Sequence, residues 1–241
     1  MARLNEPGVW GGALQKGVRQ RAGGVGRSPA EGVRQRSGGV GRSPANVVSS
    51  ASTSLDGFVA YPNNDPGPLF DWYEAGDVEI VNAGDLPPFL LSMVSADYWT
   101  GWTGELGCLV VGRLLFDITD GWKGVHPLGV PFVVLTHEVP TDWAHASTGN
   151  AHFVTEGIEA AIALAKEIAG DKSVGVAAGT VAGQALAAGL LDEVAIDLVP
   201  VVLGEGHPYF ADVEPGAVRL GDPTVVIAST RVTHLRFPVV K

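Results

Sequence analysis

Short apolar runs that alternate with helical stretches constrain the fold of this chain most. Cys108–Val111 is an apolar run between two glycines, and Pro131–Leu135 is a second such run. Both are too short for a stable helix, and continuous apolar runs are typical of parallel strands buried on both faces. Between them, Arg113–Ile118 has a helical pattern. This order predicts an α/β fold.

The rest of residues 47–241 continues the alternation, so we assign this range to one domain with a mainly parallel central sheet and helices on both faces. The further predicted strands are Asn46–Thr53, His152–Val154, Val174–Ala177, Val194–Leu203 (interrupted by Pro200) and a closing antiparallel pair, Thr224–Ala228 with Val232–Val239. The further predicted helices are Ser95–Glu105, Ile158–Ile168 with Gly170 as its stop, and Thr180–Ala188.

Val174–Leu191 offers a different interpretation, because only Thr180 and Gln184 are polar within it and Gly175, Gly179 and Gly183 form a small-residue series. Such a segment superficially suggests a membrane helix. Alanine and glycine are only weakly apolar, however, and two acidic residues follow at once. A strand, a glycine turn and a helix explain the segment better, and we expect no membrane partner.

Residues 1–46 form a basic arm built on a tandem repeat. Residues 17–31 and 32–46 match at thirteen of fifteen positions, and the arm carries a net charge of +6, against −16 for the remainder. The repeat has too little apolar material to offset chain entropy, which predicts disorder. Either the arm contacts phosphate groups or anionic lipid, or it is an extension without function. Its low complexity favours an extension without function.

Composition and missing motifs exclude several classes of function. The single cysteine, Cys108, rules out a disulfide framework and a cysteine zinc cluster, and it fits a cytoplasmic location. The net charge of −16 on residues 47–241 makes the folded domain a poor binder of nucleic acid. No Gly-x-Ser-x-Gly or His-Glu-x-x-His motif is present, and the six histidines are far apart, so we expect no metal site.

Two strand-to-helix turns carry the strongest indication of a ligand. The first is Gly112-Arg113, and the second is Ala178-Gly179-Thr180-Val181. Small residues let a ligand approach the backbone, and a helix start offers free N–H groups to an anion. Arg113 adds a positive charge. Two such turns on one sheet edge suit the phosphates of a dinucleotide, although each signal alone is weak.

Residues near both ends of the domain resemble a known family. Ser54–Ala60 is similar to the Ser-Leu-Asp-Gly-x-x-Ala opening of the bacterial riboflavin-biosynthesis reductase domain. Gly189–Glu193, Pro200–Gly206 and Phe210 resemble its closing stretch, and the two turns resemble the cofactor turns of dihydrofolate reductase. The resemblance implies a dihydrofolate-reductase-like fold, NADPH as cofactor and a homodimer. Glu138 follows Thr136 and His137 and would repel a 2′-phosphate there, so NADH is also possible. The family's usual Glu-Gly-Gly at the second turn is replaced here by Ala177-Ala178-Gly179.

The predicted activity is hydride transfer from a nicotinamide to a small heterocycle or imine, as in 5-amino-6-(5-phosphoribosylamino)uracil reductase. The predicted cofactor residues are Gly112, Arg113, Thr136, Ala178, Gly179, Thr180 and Val181. Asp56 is the predicted catalytic residue, either as an acceptor or as a proton relay, although an Asp before Gly57 also suits a turn. Trp122 is either a stacking platform for the substrate or a core residue. The alternative function is a non-catalytic dinucleotide-binding module of the same fold.

Overall fold

The computed structural model describes residues 46–213, 216 and 218–241, and these build an eight-stranded sheet. The predicted basic arm, apart from Asn46, lies outside the described residues. Along the chain, the sheet strands are β1 (Val47–Thr53), β5 (Leu106–Gly112), β6 (Phe132–Leu135), β7 (Ala151–Val154), β8 (Ser173–Val176), β9 (Glu193–Leu198), β11 (Val225–Ser229) and β12 (Val232–Pro238). Shorter strands lie outside this sheet: β2 (Phe58–Ala60), β3 (Val78–Ile80), β4 (Phe89–Leu91) and β10 (His207–Pro208).

The strand order across the sheet is β11-β12-β9-β1-β8-β5-β6-β7. The six strands from β9 to β7 are parallel, and β12 and β11 close the sheet as an antiparallel pair. The sequence therefore predicted both the mainly parallel sheet and its antiparallel ending correctly. Because the six strands are parallel, their carboxyl ends meet at one edge of the sheet, and we call this edge the carboxyl edge.

Four α-helices cover the sheet on both faces. They are α1 (Met93–Gly104), α2 (Arg113–Ile118), α3 (Ile158–Ala169) and α4 (Thr180–Ala187). Ile162 of α3 and Val181 of α4 pack into one core cluster with Val47 and Val110. Trp102 of α1 and Phe116 of α2 pack on the other face with neighbouring strand residues such as Val48 and Val111. Successive residues of β1 and β5 thus enter opposite cores, as the period of two along a strand requires.

A third core cluster fills the space between α1, the antiparallel strands and a 3-10 helix at Gly67–Glu74. Its centre is aromatic, with the indole rings of Trp72 and Trp99 meeting edge to face at 5.8 Å. Sequence periodicity gave no sign of this 3-10 helix or of the short pairs β3–β4 and β2–β10. Each is only two to eight residues long, too short to show a period.

The prediction of a long strand over Val194–Leu203 is wrong for the second half of that range. The strand β9 ends at Leu198, because Pro200 has no backbone N–H to donate to a neighbouring strand. Instead, Leu55 N donates to Val201 O at 2.8 Å, so the following residues form a loop against the end of β1. The segment Val174–Leu191 contains β8, a turn and α4, as predicted, and no helix of the described residues is long and apolar enough to cross a membrane.

Candidate functional site

The candidate site lies where β5 and β8 end side by side. From β5 the chain continues through α2 to β6 on one side, and from β8 it continues through α4 to β9 on the other. The two helices cover opposite faces, so a crevice opens between the strand ends, and ligands of open α/β sheets bind at such switch points. A Cβ at Gly112 would lie 3.0 Å from Val181 Cγ2. The two predicted cofactor turns are therefore in direct contact.

Gly179 forms the turn between β8 and α4 and has φ +88° and ψ −144°. This backbone conformation is essentially restricted to glycine. A Cβ added at Gly179 would meet nothing within 4 Å, so the turn is open to an incoming group. The N–H groups of the first α4 residues, Thr180 to Ala182, have no acceptor within the helix. The turn thus combines open space with free donors, as the sequence predicted.

The segment His207–Ala211 runs along this turn and links it to the end of β1. Gly179 N donates to Tyr209 O at 2.7 Å, and Tyr209 N donates to Gly57 O at 2.9 Å. The Gly179 N–H is therefore not available to a ligand, which leaves the next residues as donors. The Thr180 hydroxyl donates to an Asp212 carboxylate oxygen at 3.3 Å, so a bound phosphate would approach a negative charge there.

Arg113 connects the first turn to the end of β6. Its Nη1 donates to Glu138 O at 2.8 Å and to Thr136 Oγ1 at 3.3 Å, and its Nε donates to Asp117 Oδ1 at 2.7 Å. Thr136 is buried, and its hydroxyl donates to Glu138 O at 2.8 Å. Arg113 and Thr136 are thus brought together as predicted, but Arg113 already has a carboxylate partner, with which an anionic ligand would compete.

Asp56 lies in the turn after β1, and backbone N–H groups engage both of its carboxylate oxygens. Leu203 N donates to Oδ1 at 3.1 Å, and Gly204 N donates to Oδ2 at 2.7 Å. A side-chain hydrogen bond with Ser54, together with these N–H donors, lowers the pKa of Asp56 to about 2. Near neutral pH the carboxylate is ionised, so it acts as an acceptor that fixes the 203–204 loop. The catalytic role stays a prediction, and another group must supply a proton.

Trp122 lies in a left-handed turn, Asp120–Gly124, in which all five residues have φ between 49° and 84°. Its ring meets that of His126 edge to face at 4.3 Å and that of Phe132 at 5.5 Å. Burial lowers the pKa of His126 to about 3, so this imidazole is neutral. These contacts favour the core interpretation of Trp122 over the stacking platform.

Sequence reasoning missed a buried polar cluster on the α1 face of the sheet. His234 Nδ1 lies 2.6 Å from Asp197 Oδ1, and His234 Nε2 lies 2.9 Å from Ser95 Oγ. The three residues come from β12, β9 and α1, 139 positions apart at most, and no spacing rule joins them. Asp197 is the penultimate residue of β9 and pairs in register with Ser52 of β1, which puts it near the carboxyl edge. Ser95 is only 1% exposed, which argues against a nucleophilic serine.

His207 is a second feature at this edge that the sequence did not reveal. Its Nε2 is buried and has no hydrogen-bond partner among the residues that the structure describes. It lies on β10, opposite Ala60 of β2 and two residues before Tyr209. Buried polar atoms without a partner are rare in folded proteins. An imidazole nitrogen left free at the edge where ligands of α/β folds bind fits a site for a polar small molecule.

Comparisons with known proteins find matches by structure and none by family model or curated sequence. No family model matches the chain, and no curated protein matches it by sequence. A riboflavin biosynthesis protein from Shewanella sp. PV-4 superposes with a TM-score of 0.58 at 20% identity, covering 81% of this chain and 99% of that one. A pyrimidine reductase-like protein from Corynebacterium diphtheriae gives 0.54 at 15% identity, covering 82% and 92%.

A third solved structure is RibD from Acinetobacter baumannii, with a TM-score of 0.54 at 14% identity. The match covers 81% of this chain and 58% of RibD, so this chain spans little more than half of that protein. The chain has the dihydrofolate-reductase-like fold. The fold predicted from the two end motifs is therefore confirmed. At identities of 14–20%, these superpositions establish the fold alone. The activity has to be argued from the residues of the site.

Proposed function

We propose that this protein is a reductase that transfers a hydride from NADPH to a small heterocyclic or imine substrate. The observation that carries the proposal is the crevice between β5 and β8, where the Gly179 turn is open and the first α4 residues offer free N–H groups. Known structures of this fold include a pyrimidine reductase-like protein, which supports a reductase.

The residues of the crevice fit a dinucleotide. The N–H groups of Thr180 and Val181 would hold the pyrophosphate, since Gly112 and Gly179 leave its path free of side chains. Arg113 would contribute one charge-assisted contact beside Thr136. The carboxylates of Asp117 and Asp212 oppose the negative charge of the cofactor. This repulsion is stronger for NADPH, which carries one phosphate group more than NADH. NADH is therefore to be tested beside NADPH.

A bound nicotinamide supplies the hydride, and the chain's own residues position the reactants and exclude water. Asp56 holds the 203–204 loop at the end of β1, and the segment His207–Ala211 joins this turn to the Gly179 turn. Hydride transfer to a C=N or C=O bond also needs a proton, which an ionised Asp56 cannot supply.

Titration with NADPH and NADH, followed by the fluorescence of the six tryptophans, tests the cofactor site. Gly179→Asp and Gly179→Ala form a matched pair, because both place a Cβ on a backbone at φ +88° and only Asp adds charge. We expect Asp to weaken binding by several kcal/mol more than Ala, on the order of 100-fold or above. Equal affinities for a folded Gly179→Asp variant and Gly179→Ala would remove the pyrophosphate assignment.

Arg113→Ala should weaken binding less, by about 1–2 kcal/mol, since the guanidinium is part-exposed and already paired with Asp117. A larger loss for Arg113→Ala than for Gly179→Asp would reverse the proposed order of contacts. The reductase step itself is tested by substrate-dependent oxidation of NADPH. A solved relative from Thermotoga maritima is a 5-amino-6-(5-phosphoribosylamino)uracil reductase, so this pyrimidine is the first compound to test.

A non-catalytic dinucleotide-binding module is the second candidate. It is favoured by Ala177, which replaces the family's usual Glu at the second turn, and by the engaged oxygens of Asp56. The two candidates differ in one measurement. A module binds NADPH and does not oxidise it with any of a panel of pyrimidines and cyclic imines, whereas a reductase consumes NADPH with at least one of them.

A further inference from the structure

A cavity of about 210 Å³ lies between the end of α1, the residues that follow β3 and the connection that leads into β6. We call it the α1 cavity. Thr103, the penultimate residue of α1, lies just before the start of β5, and Leu128 precedes the start of β6. Both strands begin at the edge of the sheet opposite the carboxyl edge. The α1 cavity is therefore separate from the crevice, and the proposed reductase step does not use it.

Contacts within the chain hold the walls of the α1 cavity in place. Trp99 lies against three further aromatic rings, at centroid distances of 5.6, 5.8 and 5.9 Å. Ala83 N donates to Pro127 O at 2.8 Å, which joins two of the lining segments. Leu128 N donates to His126 Nδ1 at 3.2 Å. The cavity is thus already formed, and a ligand would not have to order the chain in order to bind.

Most of the lining is apolar, and none of the described lining residues is charged. The apolar residues include Ile80, Trp99, Pro127 and Leu128. Val81 also lines the cavity and, at 77% exposed, is the most exposed large apolar side chain that the structure describes. Covering such surface is favourable, whereas a charged ligand would lose its hydration without gaining a counter-charge. The lining therefore selects an uncharged and largely apolar molecule.

The two polar residues of the lining, Asn82 and Thr103, offer hydrogen-bond acceptors. The Thr103 hydroxyl donates its one proton to Trp99 O at 2.7 Å, so its remaining lone pairs can only accept. The amide nitrogen of Asn82 donates to Pro87 O at 2.7 Å, and its Oδ1 has no donor among the residues that the structure describes. A ligand that satisfies this lining therefore carries an N–H or O–H group.

We propose that the α1 cavity binds a small, uncharged aromatic molecule that carries one hydrogen-bond donor, with a fused-ring frame of the size of indole. An apolar cavity of roughly 150 Å³ holds a single benzene ring, so 210 Å³ suits a second, fused ring. Trp99 offers aromatic surface to the ring frame, and the Thr103 hydroxyl accepts from the donor. This site is independent of the proposed reductase and of its cofactor.

Titration of the full chain with indole, followed by NMR of the backbone amides, tests the position of the site. We expect saturable shifts at residues 80–83, Thr103 and Leu128, and none at Gly112 or at residues 179–181 of the crevice. Indene has the same fused frame without the N–H, and it should bind about three- to tenfold more weakly, the usual share of one hydrogen bond. No saturable shift at the lining up to millimolar indole, or shifts at the crevice instead, would overturn the site.

Two pairs of variants test the contacts. Thr103→Val removes the hydroxyl at nearly constant shape, so it should bind indole and indene equally, whereas Thr103→Ser should keep the preference for indole. Ala83→Phe should fill the cavity and weaken both ligands at least about tenfold, and Ala83→Ser should bind like the parent. A preference for indole that survives in Thr103→Val would remove Thr103 as the acceptor. Parent-like binding by a folded Ala83→Phe variant would show that indole binds elsewhere.

Discussion

At the scale of single residues, Asp56 shows how a motif residue acquires its chemistry from its neighbours. The sequence marks it only as an acid before a glycine. In the fold, the Ser54 hydroxyl and the N–H groups of Leu203 and Gly204 all stabilise its ionised form. A carboxylate whose pKa is lowered in the folded state stabilises the fold above its unfolded pKa and loses that contribution as pH falls.

This gives a prediction for acid unfolding. The pKa of Asp56 falls from 3.8 to about 2, so its contribution should be lost between about pH 4 and pH 2. Asp56→Asn should therefore have a flatter dependence of unfolding free energy on pH in that window, measured by urea unfolding. Asp77→Asn, at an exposed carboxylate with no hydrogen bond among the described residues, is the control. Equal slopes for Asp56→Asn and the parent would contradict the two N–H contacts.

At the scale of elements, the left-handed turn Asp120–Gly124 is notable because all five of its residues have a positive φ. Asp120, Trp122 and Lys123 each adopt a positive φ, a conformation that costs non-glycine residues roughly 1–2 kcal/mol. Trp143 Nε1 donates to Asp120 Oδ1 at 3.1 Å, and Asn150 Nδ2 donates to Gly124 O at 3.0 Å. These bonds from the β6–β7 connection hold the turn in place.

Gly121 allows a sharp test of that turn. A Cβ there would lie 2.5 Å from Phe116 Cε2 and 2.8 Å from Trp143 Cζ2, on a backbone at φ +52°. We expect Gly121→Ala to destabilise the protein by about 2–4 kcal/mol, measured by denaturant unfolding. Gly101→Ala, on α1 with open space around the new Cβ, should instead stabilise by roughly 0.5–1 kcal/mol. Similar effects at the two glycines would show that the turn rearranges freely.

The elements also show what the sequence could predict. Strands such as Cys108–Val111 and the Ile158–Ile168 helix were found within a few residues, because burial on both faces or on one stripe leaves a clear pattern. The paired turns were also found, since glycine marks them. The Asp197–His234–Ser95 cluster was not found, because its members meet only when β9, β12 and α1 pack. Local pattern carries no information on such contacts.

At the scale of the whole molecule, the tandem-repeat arm is predicted to be dispensable. The repeats carry little apolar material, and the described residues from Asn46 onward form a compact unit of their own. A chain that begins at Asn46 should therefore melt at the same temperature as the full chain, as followed by calorimetry. A drop of many degrees on removal of the arm would show that it packs on the domain.

Self-association is the second prediction at this scale, and the structure changes where its interface would lie. The sequence suggested the long apolar strand Val194–Leu203, but β9 is paired with β1 and β12 along both of its edges. The outer strand β11, with Val226 half-exposed, is an open edge that can pair with a second copy. We expect a dimer in sedimentation at micromolar concentration, and Val226→Lys should shift it toward monomer. Only monomer in the parent would overturn this.

The central position of β1 has a consequence for how the chain is made. Its partners β8 and β9 begin at residues 173 and 193, so β1 has no neighbour in the sheet until most of the chain has left the ribosome. Contacts between such distant segments slow folding, and unpaired strands are exposed meanwhile. During synthesis, β1 must wait for more than a hundred residues as an unpaired strand, and this interval is when aggregation competes most strongly with folding.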